Sequence, residues 1–232
     1  MKYQNVLTRL RSLSNPKNKE GMARFGINTD QALGISLYTL RPLAKEIGKN
    51  HELAEELWTS GIHEARILSS IIAEPEKVTE DLMESWVKDF NSWDICDQVC
   101  SNLFDRTPFA FRKAVEWSKR NEEFVKRAGF VLMATLSVHD KNASDKDFEQ
   151  FFPIIIREAT DERNFVKKAV NWALRQIGKR NLILNTKAIK IAQELKKSDS
   201  KSSRWIASNA LRELTSKKVQ TKLKKNQLFI AS

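Results

Sequence analysis

The chain has 232 residues, of which 41% are hydrophobic and 30% charged, a composition typical of one large or two small globular helical domains. It contains only seven glycines and five prolines, too few turn-forming residues for a hairpin-rich all-β protein or a collagen-like chain. No apolar run approaches the roughly 18 residues of a membrane span, and residues 1–4 lead into no signal-peptide core, so we expect a cytoplasmic protein.

The charge of the chain is unevenly distributed. There are 40 Lys and Arg residues against 29 Asp and Glu, a formal net charge of +11. Residues 1–116 carry 15 basic and 17 acidic side chains, whereas residues 117–232 carry 25 and 12. Such an excess in one half indicates a partner with a line of phosphates, and a merely soluble basic protein is the alternative. Membrane-surface or heparin-like binding is less favoured, because the charge is spread over several helices.

Apolar residues recur at intervals of three and four along nearly the whole chain, which predicts an all-α protein of about eleven or twelve helices. Helix-start signals stand at Asn15 before Pro16, at Thr107 before Pro108, and in a capping box over residues 144–147. No polar linker divides the chain before its Lys-rich end. We therefore predict a single domain over residues 1–216 and a basic helix end or tail over residues 217–232.

The helices form pairs, and one member of each pair is repeated. Residues 123–132 resemble residues 163–172 in a Phe-Val-Lys-basic-Ala core, with a looser copy at 203–207 and degenerate copies at 63–68 and 93–97. A two-helix unit of roughly 30–45 residues predicts an α-solenoid of HEAT or armadillo type with a concave, basic groove. In this register five side chains project from equivalent points: Arg66, Asp97, Arg127, Lys168 and Arg204.

One carboxylate interrupts this otherwise basic row. Asp97 follows Trp93 by four residues, so both lie on one helix face. Asp97 either meets a cationic substrate or forms a structural ion pair with a base such as Arg127. Trp93 and Trp172 either pack in the core or hold a cation against their aromatic faces. Trp58, Trp86 and Trp117 are predicted to be core residues.

No cofactor site is visible in the sequence. Cys96 and Cys100 are four residues apart, and no histidine stands at metal-ligand spacing from them, so buried thiols are favoured over half of a metal site. His139 is predicted to end a helix. The P-loop, the Rossmann fingerprint and the nucleophile elbow are absent, so we expect neither a metal nor a nucleotide cofactor.

Taken in order, several segments resemble the AlkD-type family of DNA alkylation-repair glycosylases. The most specific are Trp-Asp-x-x-Asp, which ends at Asp97, and Lys-Ala-x-x-Trp-x-Leu-Arg, which ends at Arg175. The segments that carry the resemblance are residues 21–27, 33–35, 56–58, 92–97, 126–128 and 166–175. The resemblance implies a HEAT-like solenoid that binds duplex DNA and hydrolyses the N-glycosidic bond of cationic N3- and N7-alkylpurines. Against the family pattern, Gly26 is expected to shorten the helix that would probe the minor groove.

The resemblance also implies roles for individual residues. Asp97 matches the catalytic aspartate, and Trp93, Trp172 and Arg127 match the residues of the lesion site. Arg175 falls where the family places a phosphate-contacting arginine. From the repeat register we also expect phosphate contacts from Lys168, Arg66 and Arg204. No Schiff-base lysine is matched, so we expect a monofunctional glycosylase without lyase activity, acting as a monomer without cofactor. The rival hypotheses are a catalytically inactive protein that binds DNA structures and a helical-repeat scaffold for protein interactions.

Overall fold

The computed structural model describes the backbone of residues 1–230 and the side chains of residues 1–226. These residues form fifteen α-helices and two short 3-10 helices, with no strand in the described part of the chain. They divide into two compact units, of which the first is Met1–Pro108 and the second begins at Phe109. No helix of the described residues is long and apolar enough to cross a lipid bilayer. The predicted all-α class is confirmed.

The first unit contains seven α-helices. They are α1 (Tyr3–Ser12), α2 (Pro16–Arg24), α3 (Leu37–Ile47), α4 (His51–Thr59), α5 (His63–Ile72), α6 (Glu80–Lys88) and α7 (Trp93–Asn102). Helix α5 lies at its centre and packs against α3, α4 and α7. The core includes Trp58 and Trp86, whose rings stack with their centroids 4.0 Å apart. The 3-10 helix Pro75–Lys77 lies between α5 and α6, and the 3-10 helix Phe104–Arg106 follows α7.

The second unit shows the predicted pairing of helices. Its elements are α8 (Ala110–Trp117), α9 (Glu123–His139), α10 (Asp145–Glu149), α11 (Phe151–Glu158), α12 (Asn164–Gly178), α13 (Leu182–Leu195), α14 (Lys201–Leu214) and α15 (Lys217–Ile230). The pairs are α8 with α9, α11 with α12, and α13 with α14. Successive second members pack together, α9 on α12 and α12 on α14, while α11 contacts α13 and α13 contacts α15. Each pair thus buries its apolar face against the next, as a helical repeat requires.

The helix starts agree with the predicted signals at two of three places. Asn15 caps α2 by accepting the Asn18 N–H, and Ser144 and Asp147 form the capping box of α10. The prediction of a start at Thr107 was wrong, because α8 begins at Ala110 after a turn. The chain also has more helices than the eleven or twelve predicted. Short elements such as the five-residue α10 hold too few apolar positions to show a helical period.

Several core predictions are confirmed. Trp58, Trp86 and Trp117 are all at most 3% exposed, and Cys96 and Cys100 are buried thiols that form no disulfide. His139 is the last residue of α9. The Lys-rich segment predicted over residues 217–232 is helical from Lys217 to Ile230, and its last two residues lie outside the described part of the chain.

Gly129 allows α8 and α9 to cross closely. A Cβ added to Gly129 would lie 2.6 Å from the Ser118 nitrogen and 2.9 Å from the Ala114 carbonyl oxygen, both backbone atoms. Gly129→Ala is therefore expected to lower the free energy of unfolding by about 1–3 kcal/mol, measured by urea denaturation. The matched control is Gly21→Ala in α2, where a Cβ meets nothing within 4 Å. This control should raise stability by up to about 1 kcal/mol, and equal effects of the two variants would contradict the close crossing.

Candidate functional site

Helix α7 buries one face and leaves Asp97 half-buried. Ile95, Cys96, Val99 and Cys100 are buried, as expected for a helix that packs against α5. Trp93 and Asp97 are half-buried and lie one turn apart. Asp97 is thus not among the buried residues of the first unit.

Trp93 also fixes the loop that follows α2. Its indole Nε1–H donates to the carbonyl oxygen of Phe25 at 3.1 Å, and the Asn28 N–H donates to the hydroxyl of Ser92 at 3.1 Å. Helix α2 ends at Arg24, and Gly26 has a φ of 72°, a left-handed conformation that favours glycine. Helix α2 therefore ends just before Gly26. The Phe25 ring remains 73% exposed at the end of the helix.

Asp94, three residues before Asp97 on α7, contacts a buried histidine. Its Oδ2 accepts a hydrogen bond from Nε2–H of the buried His63 at 2.8 Å. Its Oδ1 is buried and makes no hydrogen bond to the described residues. An unsatisfied buried acceptor costs roughly 1–3 kcal/mol, so this oxygen marks a place where a partner would be favourable. Sequence analysis assigned Asp94 no role beyond the motif, because its partner His63 is distant along the chain.

Asp94 and His63 line a cavity of about 570 Å³. Its walls come from α2, from the residues around Gly34, and from α5 and α7. Glu64, which is fully buried beside His63, holds one of these walls in place. Its carboxylate accepts three backbone N–H groups, from Leu33 at 2.8 Å, Gly34 at 2.7 Å and Ile35 at 3.1 Å.

The two thiols behind Asp97 are unsuited to chemistry. Burial raises the pKa of Cys100 well above its usual value, and a hydrogen bond with Cys96 and the nearby charges of Asp97 and Asp105 add to this. Since the thiolate is the reactive form, Cys100 stays protonated and acts as a core residue.

Arg66 is engaged within the first unit. Its guanidinium lies 3.3 Å from the carboxylate of Asp89, donates to the Asp89 carbonyl at 3.0 Å, and sits over the ring of Trp58 at 5.2 Å. The side chain is 15% exposed. These contacts tie α5 to the end of α6.

In the second unit, Arg127 is buried between two repeats. It is 5% exposed, and its guanidinium donates to the carbonyl of Phe165 in α12 at 2.6 Å. The preceding Lys126 lies 2.6 Å from the carboxylate of Glu158. Burial acts to raise the pKa of Glu158, but hydrogen bonds and charges from Lys126 and Arg157 outweigh it and hold the pKa below its usual range.

Helix α12 carries three of the predicted site residues on one face. Lys168, Trp172 and Arg175 are four and three residues apart, with Lys168 exposed and the other two half-buried. Arg175 forms an ion pair with Glu213, which Lys179 also contacts. Burial acts to raise the pKa of Glu213, but the hydrogen bonds and charges of Lys179 and Arg175 lower it overall.

The last predicted phosphate contact, Arg204, is exposed on α14. Its guanidinium donates to the carbonyls of Ser198 and Asp199, just before the helix. The next residue, Trp205, is 37% exposed and faces the ammonium group of Lys167 at 5.2 Å from its ring centroid. Trp205 was not among the predicted site residues, and an aromatic residue beside a basic one was the signal that could have indicated it.

Each unit thus contains some of the predicted site residues. In the first unit Trp93 and Asp97 share one face of α7. In the second unit Lys168, Trp172 and Arg175 share one face of α12. The five repeat-related side chains occupy the fourth or fifth position of their helices: Arg66 in α5, Asp97 in α7, Arg127 in α9, Lys168 in α12 and Arg204 in α14. Their exposure differs, since packing buries Arg127 and leaves Lys168 and Arg204 in solvent.

Comparison with known proteins assigns the class of this fold. A solved structure from a family described as related to the HEAT-like repeat DNA glycosylases, with affinity for branched DNA structures, has a TM-score of 0.75 and 25% identity. The match covers 92% of this chain and 96% of that one. The fold is therefore a HEAT-like repeat of α-helices. Residues 6–214 match the family model described as DNA alkylation repair enzyme, and the chain belongs to this family.

Two further structures are less similar. An engineered protein has a TM-score of 0.40 and 13% identity, over 81% of this chain and 92% of that one. A designed armadillo repeat protein in complex with a (KR)4 peptide has a TM-score of 0.36 and 13% identity, over 83% and 81%. No sequence in a set of curated proteins matches the chain significantly.

Proposed function

We propose that this protein is a DNA glycosylase that hydrolyses the N-glycosidic bond of cationic N3- and N7-alkylated purines in duplex DNA. The observation that carries the proposal is the half-buried pair of Trp93 and Asp97, which lie one turn apart on α7. A half-buried carboxylate one turn from an aromatic ring, in a protein with a net charge of +11, suits a cationic reacting group within a polyanionic partner.

The chemistry follows from the charge of the substrate. A purine alkylated at N3 or N7 is positively charged, so its glycosidic bond is already weakened, and bond cleavage develops oxocarbenium character on the deoxyribose. The ionised Asp97 stabilises this developing cation and orients a water toward the anomeric carbon. A carboxylate has a comparable role in glycosidases. Trp93 supplies an aromatic face for the cationic nucleotide. In the second unit, Trp172 and Arg127 are the residues that the family resemblance assigns to the lesion site.

Phosphate binding is assigned first to the exposed cations. Lys168 and Arg204 are open to solvent, whereas Arg175 shares Glu213 with Lys179 and Arg66 contacts Asp89. Arg175 and Arg66 would have to exchange these carboxylates for phosphates, so we expect smaller contributions from them. The excess of basic side chains in residues 117–232 supports the proposal that the second unit makes most of the phosphate contacts.

The proposal is tested by incubating the wild-type protein at neutral pH with a duplex that contains a single N7-methylguanine. A glycosylase releases the free base and leaves an intact strand that breaks only after alkaline treatment, because no lyase step is expected. The matched control is the same duplex with unmodified guanine. The proposal would be contradicted if the protein released neither 7-methylguanine nor 3-methyladenine from any duplex.

A second function, binding of DNA structures without catalysis, is favoured by one observation. The structure with 25% identity comes from a family described by its affinity for branched DNA structures. The same assay separates the two functions when a four-way junction is included. A structure-binding protein would shift the junction more strongly than a linear duplex and release no base from either.

Lys168→Ala is expected to weaken binding to damaged and undamaged duplexes by the same factor. Each neutralised phosphate contributes about −0.9 to the slope of log K against log[salt], so the slope should become shallower by about one unit. Affinity is measured by fluorescence anisotropy over a range of salt concentrations. The control is Lys88→Ala at an exposed lysine of α6 in the acidic half of the chain, which should leave the slope unchanged. An unchanged slope for Lys168→Ala would remove this residue from the interface.

A further inference from the structure

Helix α15 carries positive charge that no acidic residue of its own segment balances. Residues 217–232 include five lysines and neither aspartate nor glutamate. Lys217, Lys218, Lys222 and Lys224 are exposed, and none of these four forms an ion pair with a described residue. The proposed function assigns no role to this concentration of charge.

The opposite side of α15 is fixed to the second unit. Leu223 is 2% exposed. The side-chain amide of Gln220 donates to the side-chain oxygen of Asn185 in α13 at 2.9 Å and to the carbonyl of Leu214 in α14 at 2.7 Å. Helix α15 packs against both α13 and α14. The exposed lysines therefore belong to a helix whose orientation on its own unit is set by buried contacts.

Three of the lysines form a stripe along α15. Lys218, Lys222 and Lys225 are four and three residues apart, so they share one face, which points away from Gln220 and Leu223. At 1.5 Å per residue the stripe is about 10 Å long. This length corresponds to about three base pairs of a duplex, at 3.4 Å each. Like charges at these spacings destabilise a helix, so a partner with a line of negative charge would relieve a cost that α15 bears alone.

The two helices that pack against α15 do not supply the missing negative charge. The acidic residue of α14 is Glu213, which already contacts Arg175 and Lys179. The acidic residue of α13 is Glu194, which lies more than two turns beyond Asn185, the residue that contacts α15. The stripe therefore remains a surface of one sign.

The chemistry of this surface favours a duplex over a lipid bilayer. A helix that binds a bilayer surface exposes an apolar face beside its charges, whereas Leu223 is turned toward the protein. The last helix of a repeat protein needs a polar outer face for solubility, but a mixture of both signs would serve that purpose. Helix α15 also follows α14, the helix of Arg204, within two residues.

We propose that the lysine face of α15 is a second DNA-contact surface, which binds the phosphate backbone where a duplex extends beyond the last helical pair. The inference goes beyond the proposed function and shares with it only that DNA is the partner. Lys168 and Arg204 contact the duplex along the helical pairs, and α15 adds contacts when the duplex is long enough to reach it.

The test combines Lys218→Gln with Lys222→Gln and measures affinity for undamaged duplexes of about 8 to 30 base pairs, at 3.4 Å per pair, over a range of salt concentrations. On the longest duplex the slope of log K against log[salt] should become shallower by about two units, because each lost contact removes about 0.9. On the shortest duplex the slope should equal that of the wild-type protein. Fluorescence anisotropy gives the affinities, and circular dichroism with thermal melting establishes that the variant folds.

The matched control combines Lys45→Gln with Lys88→Gln, at exposed lysines of α3 and α6 in the first unit. It removes the same charge and should keep the wild-type slope at every length. The proposal would be overturned by a wild-type slope of the α15 variant on the longest duplex, or by an equal loss on the shortest duplex or in the control. Loss of binding to phosphatidylserine vesicles, with DNA binding unchanged, would assign the lysine face to a membrane instead.

The outcome is independent of the proposed function, because these duplexes carry no lesion and only binding is measured. A protein that releases no alkylated base but shows the length-dependent loss would keep the α15 surface and refute the glycosylase. Base release by the wild-type protein, together with an α15 variant that binds every duplex as the wild type does, would refute the surface and keep the glycosylase.

Discussion

Asp97→Asn is expected to reduce release of 7-methylguanine from duplex DNA by roughly 10²–10³-fold, the loss typical when one group that stabilises transition-state charge is removed. Asparagine retains the size of the side chain but cannot balance the positive charge that develops on the sugar. Affinity for DNA should stay equal or rise, because a negative charge leaves the surface that faces the phosphates. Single-turnover base release and anisotropy on the same duplex measure the two effects.

Two results would argue against this role of Asp97. Base release at the wild-type rate would remove the carboxylate from the mechanism, and a loss of DNA binding in parallel with release would indicate a structural role. Asp81→Asn is the matched control, since Asp81 is an exposed aspartate of α6 in the same unit. It removes the same charge and should leave release unchanged.

Glu64→Ala is expected to destabilise the protein by about 3 kcal/mol or more, because each buried donor left without an acceptor costs roughly 1–3 kcal/mol. The substitution leaves the N–H groups of Leu33, Gly34 and Ile35 without their acceptor and opens space in the core. Urea denaturation followed by circular dichroism measures the change in the free energy of unfolding. Glu64→Gln should lose less stability, because its amide oxygen still accepts some of these hydrogen bonds.

The control for Glu64 is Glu56→Ala, at an exposed glutamate of α4 in the same unit. It should change stability by less than about 0.5 kcal/mol, as is usual for surface substitutions. If Glu64→Ala unfolded at the same urea concentration as Glu56→Ala, the carboxylate would not be what holds the 33–35 segment. The cavity wall would then need another support.

Prediction from the sequence worked where the signal is local. The period of three to four residues predicted the helices, and the four-residue spacing of Trp93 and Asp97 placed both on one face of α7. The start of α8 was mispredicted because Thr107 and Pro108 are an equally good signal for a turn. The roles assigned to Asp97, Trp172 and Arg127 rest on the family resemblance, and that of Lys168 rests on the repeat register. All of them stay predictions until the variants are measured.

The order of the residues already shows the helical class, the repeated Phe-Val-Lys segment and the excess of positive charge after residue 116. The folded chain was needed to show that His63 holds Asp94, that Glu64 supports a loop about thirty residues earlier, and that Arg127 lies inside the packing of α9 on α12. The difference comes from the range of each interaction. Helical periodicity joins residues within a turn or two, whereas a buried carboxylate or guanidinium takes whichever partner the packing of helices brings beside it.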